Sequence, residues 1–229
     1  MTCIAIIPAR GGSKGIPNKN LAEVGGQSLV TRAIESAIKS GVVDVVVVSS
    51  DDRNILEAAK VAGAIAIERP ADLATDSAAI EDAITHALQM FSESHPTPST
   101  LVLLQPTSPL RQASSISDAV HLFAENGKVG SVYGVIEAEH HPYKTFIAHD
   151  STLLPVGSIE DLSRSRHELP KAYRQSGSIY VVGVQDFLTS NSLHVSPVRW
   201  IEVGQEEAID VDTPADLEAV RQAARNANA

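Results

Sequence analysis

Apolar residues in this chain fall in short runs separated by helix-length segments. Residues 3–7, 45–49, 64–67, 101–105 and 131–135 are strand-sized runs without polar alternation. That pattern belongs to strands buried on both faces, as in a parallel sheet covered by helices. Residues 28–39, 53–62, 77–91 and 114–125 lie between them and are predicted as helices. Gly41, Gly63 and Gly127 stand where helix C-caps belong. A regular β-α alternation of this kind predicts a three-layer, doubly wound α/β fold of Rossmann-like type with a mostly parallel sheet.

The rhythm breaks after about residue 135. Residues 140–155 and 158–175 are polar, carry scattered prolines and show no helical period. They read as an excursion from the core, a small β-hairpin subdomain. The rhythm returns with strands at 178–182 and 198–203 and a last helix from Thr213, where Pro214 suits the first helical position and Asp216 the third. The whole chain, 1–229, reads as a single domain with an insertion at about 137–176.

Composition narrows the function classes. The 229 residues carry a formal net charge of −10, which argues against a general nucleic-acid binder. No apolar run approaches the ~20 residues needed to span a bilayer, and no secretory leader is visible. With one cysteine, Cys3, placed in the first apolar run, the expectation is a cytoplasmic protein without a membrane association.

Against that acidic background the first loop is cationic. The strand at 3–7 ends at Pro8 and opens into Ala9–Asn20, with Gly11, Gly12 and Gly15 among Arg10, Lys14 and Lys19. Glycines let backbone amides converge, and Lys or Arg adds full charge, which suits a phosphate. The spacing matches neither a Walker loop nor a dinucleotide loop. Taken alone, such a loop reads equally well as a solvated turn. A second cluster changes the weighting. In Ile209-Asp210-Val211-Asp212 the two aspartates share one side of an extended segment. Two adjacent carboxylates suit a hard cation such as Mg²⁺, whose remaining shell is filled by phosphates and water. Asp212 alone would equally serve to start the last helix. Gln105 follows a buried strand, at the end where open α/β sheets bind ligands. The excursion is basic, with Lys144, Arg164, Arg166, Lys171 and Arg174, which suits either an anionic co-substrate or a solvated surface. His140 and His141 are sequence neighbours that point apart in an extended chain, so they do not make a metal pair.

These residues together resemble the CMP-sialic acid synthetases (N-acylneuraminate cytidylyltransferases). The resemblance rests on ARGGSKGIPNKN at 9–20, LQPTSPLR at 104–111, EHHPYK at 139–144, Leu169-Pro170 through Gly177-Ser178-Ile179-Tyr180, and IDVD at 209–212. The loop disagrees with the Ser-Thr-Arg-Leu-Pro type found in the related Kdo enzymes. The resemblance implies a Mg²⁺-dependent reaction in which CTP and a sialic acid give CMP-sialate and pyrophosphate. It implies that Ala9, Arg10, Ser13, Lys14, Asn20, Arg69 and Ser77 contact the nucleotide. Lys19, Gln105, Lys144, Arg166, Arg174 and Tyr180 would contact the sugar, and Asp210 and Asp212 the metal. Lys14, Arg166 and Asp212 would carry the catalysis. It also implies a homodimer in which the excursion is a dimerisation subdomain reaching into the neighbour's site. Legionaminate or pseudaminate remain alternative sugars, and a non-catalytic nucleotide-binding regulator is the alternative from a different class.

Overall fold

The computed structural model of the chain describes residues 2–226. The chain begins with β1 (Cys3–Pro8), a small hairpin of β2 (Glu23–Val24) and β3 (Gln27–Ser28), and α1 (Leu29–Lys39). It continues through β4 (Val45–Ser50), α2 (Arg53–Val61), β5 (Ile65–Glu68), α3 (Ile80–Ser92), β6 (Thr100–Leu103), α4 (Ala113–Glu125) and β7 (Ser131–Glu137). Next come β8 (Phe146–His149), β9 (Thr152–Pro155), α5 (Ile159–Ser163), β10 (Tyr173–Gly183), α6 (Val184–Ser190), β11 (Val198–Glu202) and α7 (Pro214–Asn226).

Seven strands form the central sheet in the order β11-β7-β10-β6-β1-β4-β5. β1 pairs in parallel with β4 and β6, β4 with β5, and β11 with β7, whereas β10 runs antiparallel to both its neighbours. The expected strand at 178–182 is the second half of this longer β10. Its first half, Tyr173–Gln175, pairs with Glu137–Val135 after a register shift.

The two faces of the sheet bury separate cores. One face packs against α1, α2 and α4 through Ile34, Ile55, Ile116 and Phe123. The other packs against α3 and α6 through Ile84, Leu88, Phe91 and Phe187. Cys3 belongs to the first core, and burial, with help from Asp44, pushes its thiol up to about 12, so it is an inert hydrophobe there. A third cluster joins Ile16 in the first loop to Leu29, Leu110, Val211 and Leu217. It packs the beginning of the chain against its last segment.

The chain order opens a crevice at one end of the strands. From β1 the chain winds outward through β4 and β5, then returns to lay β6 on the opposite side of β1. The strand order therefore reverses between β1 and β6, and ligands of open α/β sheets bind outside the carboxyl ends of strands at such a point. The first loop leaves β1 there, Gln105 follows β6 there, and Arg69 follows β5 nearby.

Some elements differ from expectation. The helix expected at 77–91 starts at Ile80, because Ala79 is extended and a 3-10 turn at Ala71–Ala74 precedes it. The excursion between β7 and β10 contains the expected hairpin, β8 paired with β9, and also the short α5, closed by a capping box from Ser158 and Asp161. α6 is an element that the sequence pattern does not announce. Among the described residues no helix is long and apolar enough to cross a membrane.

One buried acid ties the last segment to α4. Glu207 is 5 % exposed and accepts from the Gln112 amide at 2.9 Å, the Ser115 hydroxyl at 3.0 Å and the Gly204 amide at 3.1 Å. Glu207→Ala leaves those donors unpaired and is expected to lower unfolding free energy by about 1–3 kcal/mol in urea titrations. The exposed neighbour substitution Glu206→Ala should stay within about 0.5 kcal/mol of the parent.

Candidate active site

The crevice at the switch point is a cavity of about 240 Å³ lined by residues that follow several strand ends. Arg10, Ser13, Lys19 and Asn20 come from the first loop, Arg69 from after β5, and Gln105 from after β6. All six are candidates on sequence grounds, and the fold brings them together.

The loop is positioned by backbone and side chains together. The Ala9 amide donates to the Ser49 carbonyl at 2.9 Å, and its side chain is buried, so Ala9 anchors the start of the loop. The Gly11 amide donates to Asp51 Oδ1 at 2.9 Å. The Asn20 amide nitrogen donates to the Arg10 carbonyl at 2.8 Å, closing the loop on itself. At Gly15 a Cβ would collide with the Asp212 carbonyl oxygen, so only glycine permits this approach. Lys19 fastens the same junction, with Nζ 2.8 Å from the Val211 carbonyl and 3.0 Å from Asp212 Oδ1. Lys19 thus braces the aspartate segment as well as lining the cavity.

Arg69 is 6 % exposed, and its Nε and Nη2 have no hydrogen-bond partner; Asp51 Oδ1 stands 4.0 Å from Nη2, beyond hydrogen-bond reach. Burial lowers the guanidinium pKa, Asp51 opposes that shift and Arg10 adds to it. A buried arginine with unpartnered donors at a cavity wall has the capacity to take up an acceptor. Ser77 does not line the cavity; its hydroxyl lies 3.4 Å from that of Thr75, which does. Lys14 lines an adjoining open groove with Arg10 and Ser13.

The Gln105 loop is held from beneath by Arg111. Its buried guanidinium donates through Nε to the Ser178 carbonyl at 2.6 Å and through Nη2 to the Gln105 carbonyl at 2.5 Å. Burial pushes its pKa down to about 9, against the favourable field of Glu207, so it stays charged at neutral pH. The sequence marks Arg111 only as part of a motif, because nothing local reveals that its fork points inward.

Asp210 and Asp212 flank buried Val211, whose amide donates to the Thr107 carbonyl at 2.8 Å. This docks the acidic segment beside the cavity, whose lining includes Thr107 and Lys19 but neither aspartate nor Tyr180. Asp210 is exposed on one side, and desolvation on the other raises its pKa; the hydrogen bond with Thr107 and the charge of Lys19 oppose the rise, while the Asp212 charge adds to it. Tyr180 is buried and T-stacked on Tyr133 at 5.3 Å between centroids, and burial followed by the charges of Tyr133 and Asp210 raises its phenol pKa. Among the described residues no three His, Cys, Asp or Glu side chains gather to hold a metal by themselves. Two carboxylates joined through Lys19 to a cationic glycine loop fit Mg²⁺, which takes one or two protein carboxylates and completes its shell with other oxygens.

The excursion residues stand elsewhere. Lys144 donates to the carbonyls of Leu162 (2.8 Å) and Arg164. Arg166 reaches the Glu139 carbonyl at 3.3 Å, and Arg174 is exposed. None of the three lines the cavity in its own chain. His141 accepts from the Tyr143 amide at 3.1 Å and meets the Pro170 carbonyl at 2.8 Å, a structural use of that ring.

The chain is a doubly wound α/β protein with a cationic glycine loop at the switch point of its sheet. Solved structures share the fold: a CMP-2-keto-3-deoxy-manno-octonic acid synthetase complexed with CTP superposes with a TM-score of 0.72 at 19% identity, over 99% of this chain and 100% of that one. A 4-diphosphocytidyl-2C-methyl-D-erythritol synthase from Anaerococcus prevotii gives 0.67 at 11% identity, covering 98% of each chain. The sequence pattern of the cytidylyltransferase family matches residues 4–193. The chain belongs to the cytidylyltransferase family. It is 32% identical to a CMP-N,N'-diacetyllegionaminic acid synthase of Legionella pneumophila, over 94% of this chain and 93% of that protein. It is 31% identical to an N-acylneuraminate cytidylyltransferase of Streptococcus agalactiae over 95% of this chain, and spans 52% of that longer relative. A pseudaminic acid cytidylyltransferase of Campylobacter jejuni is 28% identical over 95% of this chain and 94% of its own length.

The raised pKa of Asp210 has a consequence for stability. A carboxyl whose folded pKa lies above its unfolded value weakens the fold at pH above the ordinary carboxylate range, and the penalty disappears as pH falls through the folded pKa. With chelator present, Asp210→Asn should raise the unfolding temperature at about pH 7, and the gain should vanish near about pH 3. A lower unfolding temperature at neutral pH would contradict the assignment.

Proposed function

We propose that this cytidylyltransferase activates a nonulosonic acid: CTP and the sugar acid give the CMP-sugar and pyrophosphate, with N-acylneuraminate as the first reading of the sugar. The observation that supports it is that cavity-lining residues tie the cationic loop to the aspartate segment. Arg10 and Arg69 line the cavity and Lys14 its adjoining groove, while Lys19 and Thr107, also in the lining, bond the Val211–Asp212 segment directly. The resemblance at His140-His141-Pro142 favours a neuraminate-type sugar. The end-to-end similarity to a diacetyllegionaminate synthase supports a second reading, legionaminate.

In this reading the anomeric hydroxyl of the sugar attacks the α-phosphorus of CTP. A new O–P bond forms, the bond to the β-phosphate oxygen breaks, pyrophosphate leaves and the hydroxyl proton passes to solvent. The chain's work is positioning and charge stabilisation. Arg10, Ser13 and Lys14 take the phosphates, and Asn20 keeps the loop in shape. Arg69 takes the rest of the nucleotide, with Ser77 reaching it only through the segment that Thr75 brings to the cavity. Gln105, steadied by Arg111, takes the sugar. Asp210 and Asp212 would hold Mg²⁺, which when bound offsets phosphate charge and favours loss of the hydroxyl proton.

The excursion completes the site from a second copy. Phe146, Ile147, Leu153, Leu154 and Ile159 expose large apolar side chains along it, a patch that a homodimer would bury. Lys144, Arg166 and Arg174, remote from their own cavity, would then meet the sugar carboxylate in the neighbour's site, near its Tyr180.

Pyrophosphate release from CTP with Mg²⁺, followed across neuraminate, diacetyllegionaminate, pseudaminate and Kdo, tests the reading. Release that depends on a nine-carbon sugar acid is expected, and no release with any of them contradicts it. Asp212→Asn should lower turnover by about a hundredfold or more with the fold intact. Mixing Lys14→Ala chains with Arg166→Ala chains should restore part of the activity lost in each. No recovery in demonstrated heterodimers would remove the shared site.

A further inference from the structure

The phosphate loop carries a carboxylate from its own chain. Asp76 places Oδ1 2.7 Å from Arg10 Nη1 and Oδ2 2.9 Å from Lys14 Nζ, so one side chain engages two of the loop cations. It lies between the 3-10 turn at Ala71–Ala74 and α3, in a stretch whose Thr75, Asp76, Ala78 and Ala79 line the same cavity. That stretch is lightly held. The 3-10 turn buries no side chain, and the Ala78 amide and Thr75 hydroxyl bond only within it. Both pairs stand open to water, with the Lys14 side chain 81 % and that of Asp76 46 % exposed, and such pairs are weak. Pairing with Lys14 first, and with Arg10, holds the Asp76 carboxyl below its usual range, so it is ionised at neutral pH.

We propose that Asp76 is an internal competitor for the phosphate loop, keeping Arg10 and Lys14 ordered until a polyphosphate displaces it and returning to them as pyrophosphate departs. This rests on reading the loop as the holder of the CTP phosphates. A carboxylate offers one charge and two oxygens, matched to two cations. A polyphosphate offers several charges and more oxygens on the same cations, so it wins the exchange. A lone phosphate gains less over Asp76, which makes the loop selective for polyphosphates. The same carboxylate, waiting beside bound pyrophosphate, recaptures the cations and shortens product residence. A static brace would have the opposite signature, since removing it would disorder the loop and weaken anion binding.

Calorimetric titration with inorganic pyrophosphate and with orthophosphate distinguishes the two. Asp76→Asn should bind pyrophosphate about fivefold more tightly than the parent, and orthophosphate with a smaller gain. Asp72→Asn removes the same charge from the same stretch, at a carboxylate with no ion pair to the loop, and should bind as the parent does. Thermal unfolding establishes that each variant is folded. Equal or weaker pyrophosphate binding by Asp76→Asn, or an equal gain in Asp72→Asn, overturns the competitor role while leaving the phosphate loop standing. If neither the parent nor the variants bind pyrophosphate, the loop reading fails and the competitor falls with it.

Discussion

Everything about this site depends on one junction, where the first loop is pressed onto the last extended segment. Gly15 approaches the Asp212 backbone so closely that no side chain fits, and Lys19 bonds both the Val211 carbonyl and the Asp212 carboxylate. Ile16 and Val211 share a buried cluster beneath that contact. The residues involved are at opposite ends of the chain, so the fold must close before cations and carboxylates meet. Lys19 also opposes the rise that desolvation and the neighbouring Asp212 charge impose on Asp210.

From that junction the rest of the site follows by topology. The reversal of strand order between β1 and β6 opens a crevice, and the loops that leave β1, β5 and β6 line it. Each loop is braced from within the fold. Asn20, itself a cavity-lining candidate, closes the cationic loop, Arg111 forks onto the carbonyls of Gln105 and Ser178, and Glu207 caps the neighbouring backbone. Among the candidate cations, Arg69 keeps two buried donors unpaired, whereas Arg10 and Lys14 are engaged by the exposed Asp76.

Much of this architecture is legible in the order of the residues. Unbroken apolar runs identify the buried parallel strands, and the glycines at 41, 63 and 127 all sit at positive φ after α1, α2 and α4. Arg10, Ser13, Lys19, Asn20, Arg69 and Gln105 are candidates from sequence and do share one cavity. Direction and destination are what a linear pattern does not carry. Periodicity does not encode whether a strand runs parallel, so the reversal of β10 leaves no trace in it. Lys19, expected at the substrate, also braces Asp212. Asp76 gives no local signal, because its significance comes from two cations far away in sequence. α6 follows β10 directly and is too short for its period to stand out.

The central claim is that the cationic loop and the aspartate pair are two halves of one nucleotide site, joined through Lys19. Calorimetric CTP affinity, with and without Mg²⁺, tests it most directly when the parent is compared with an Asp210→Asn/Asp212→Asn double variant. Mg²⁺ is expected to tighten CTP binding to the parent, and the double variant to keep metal-free binding but lose the Mg²⁺-dependent gain. A gain that survives intact in the double variant would contradict the claim.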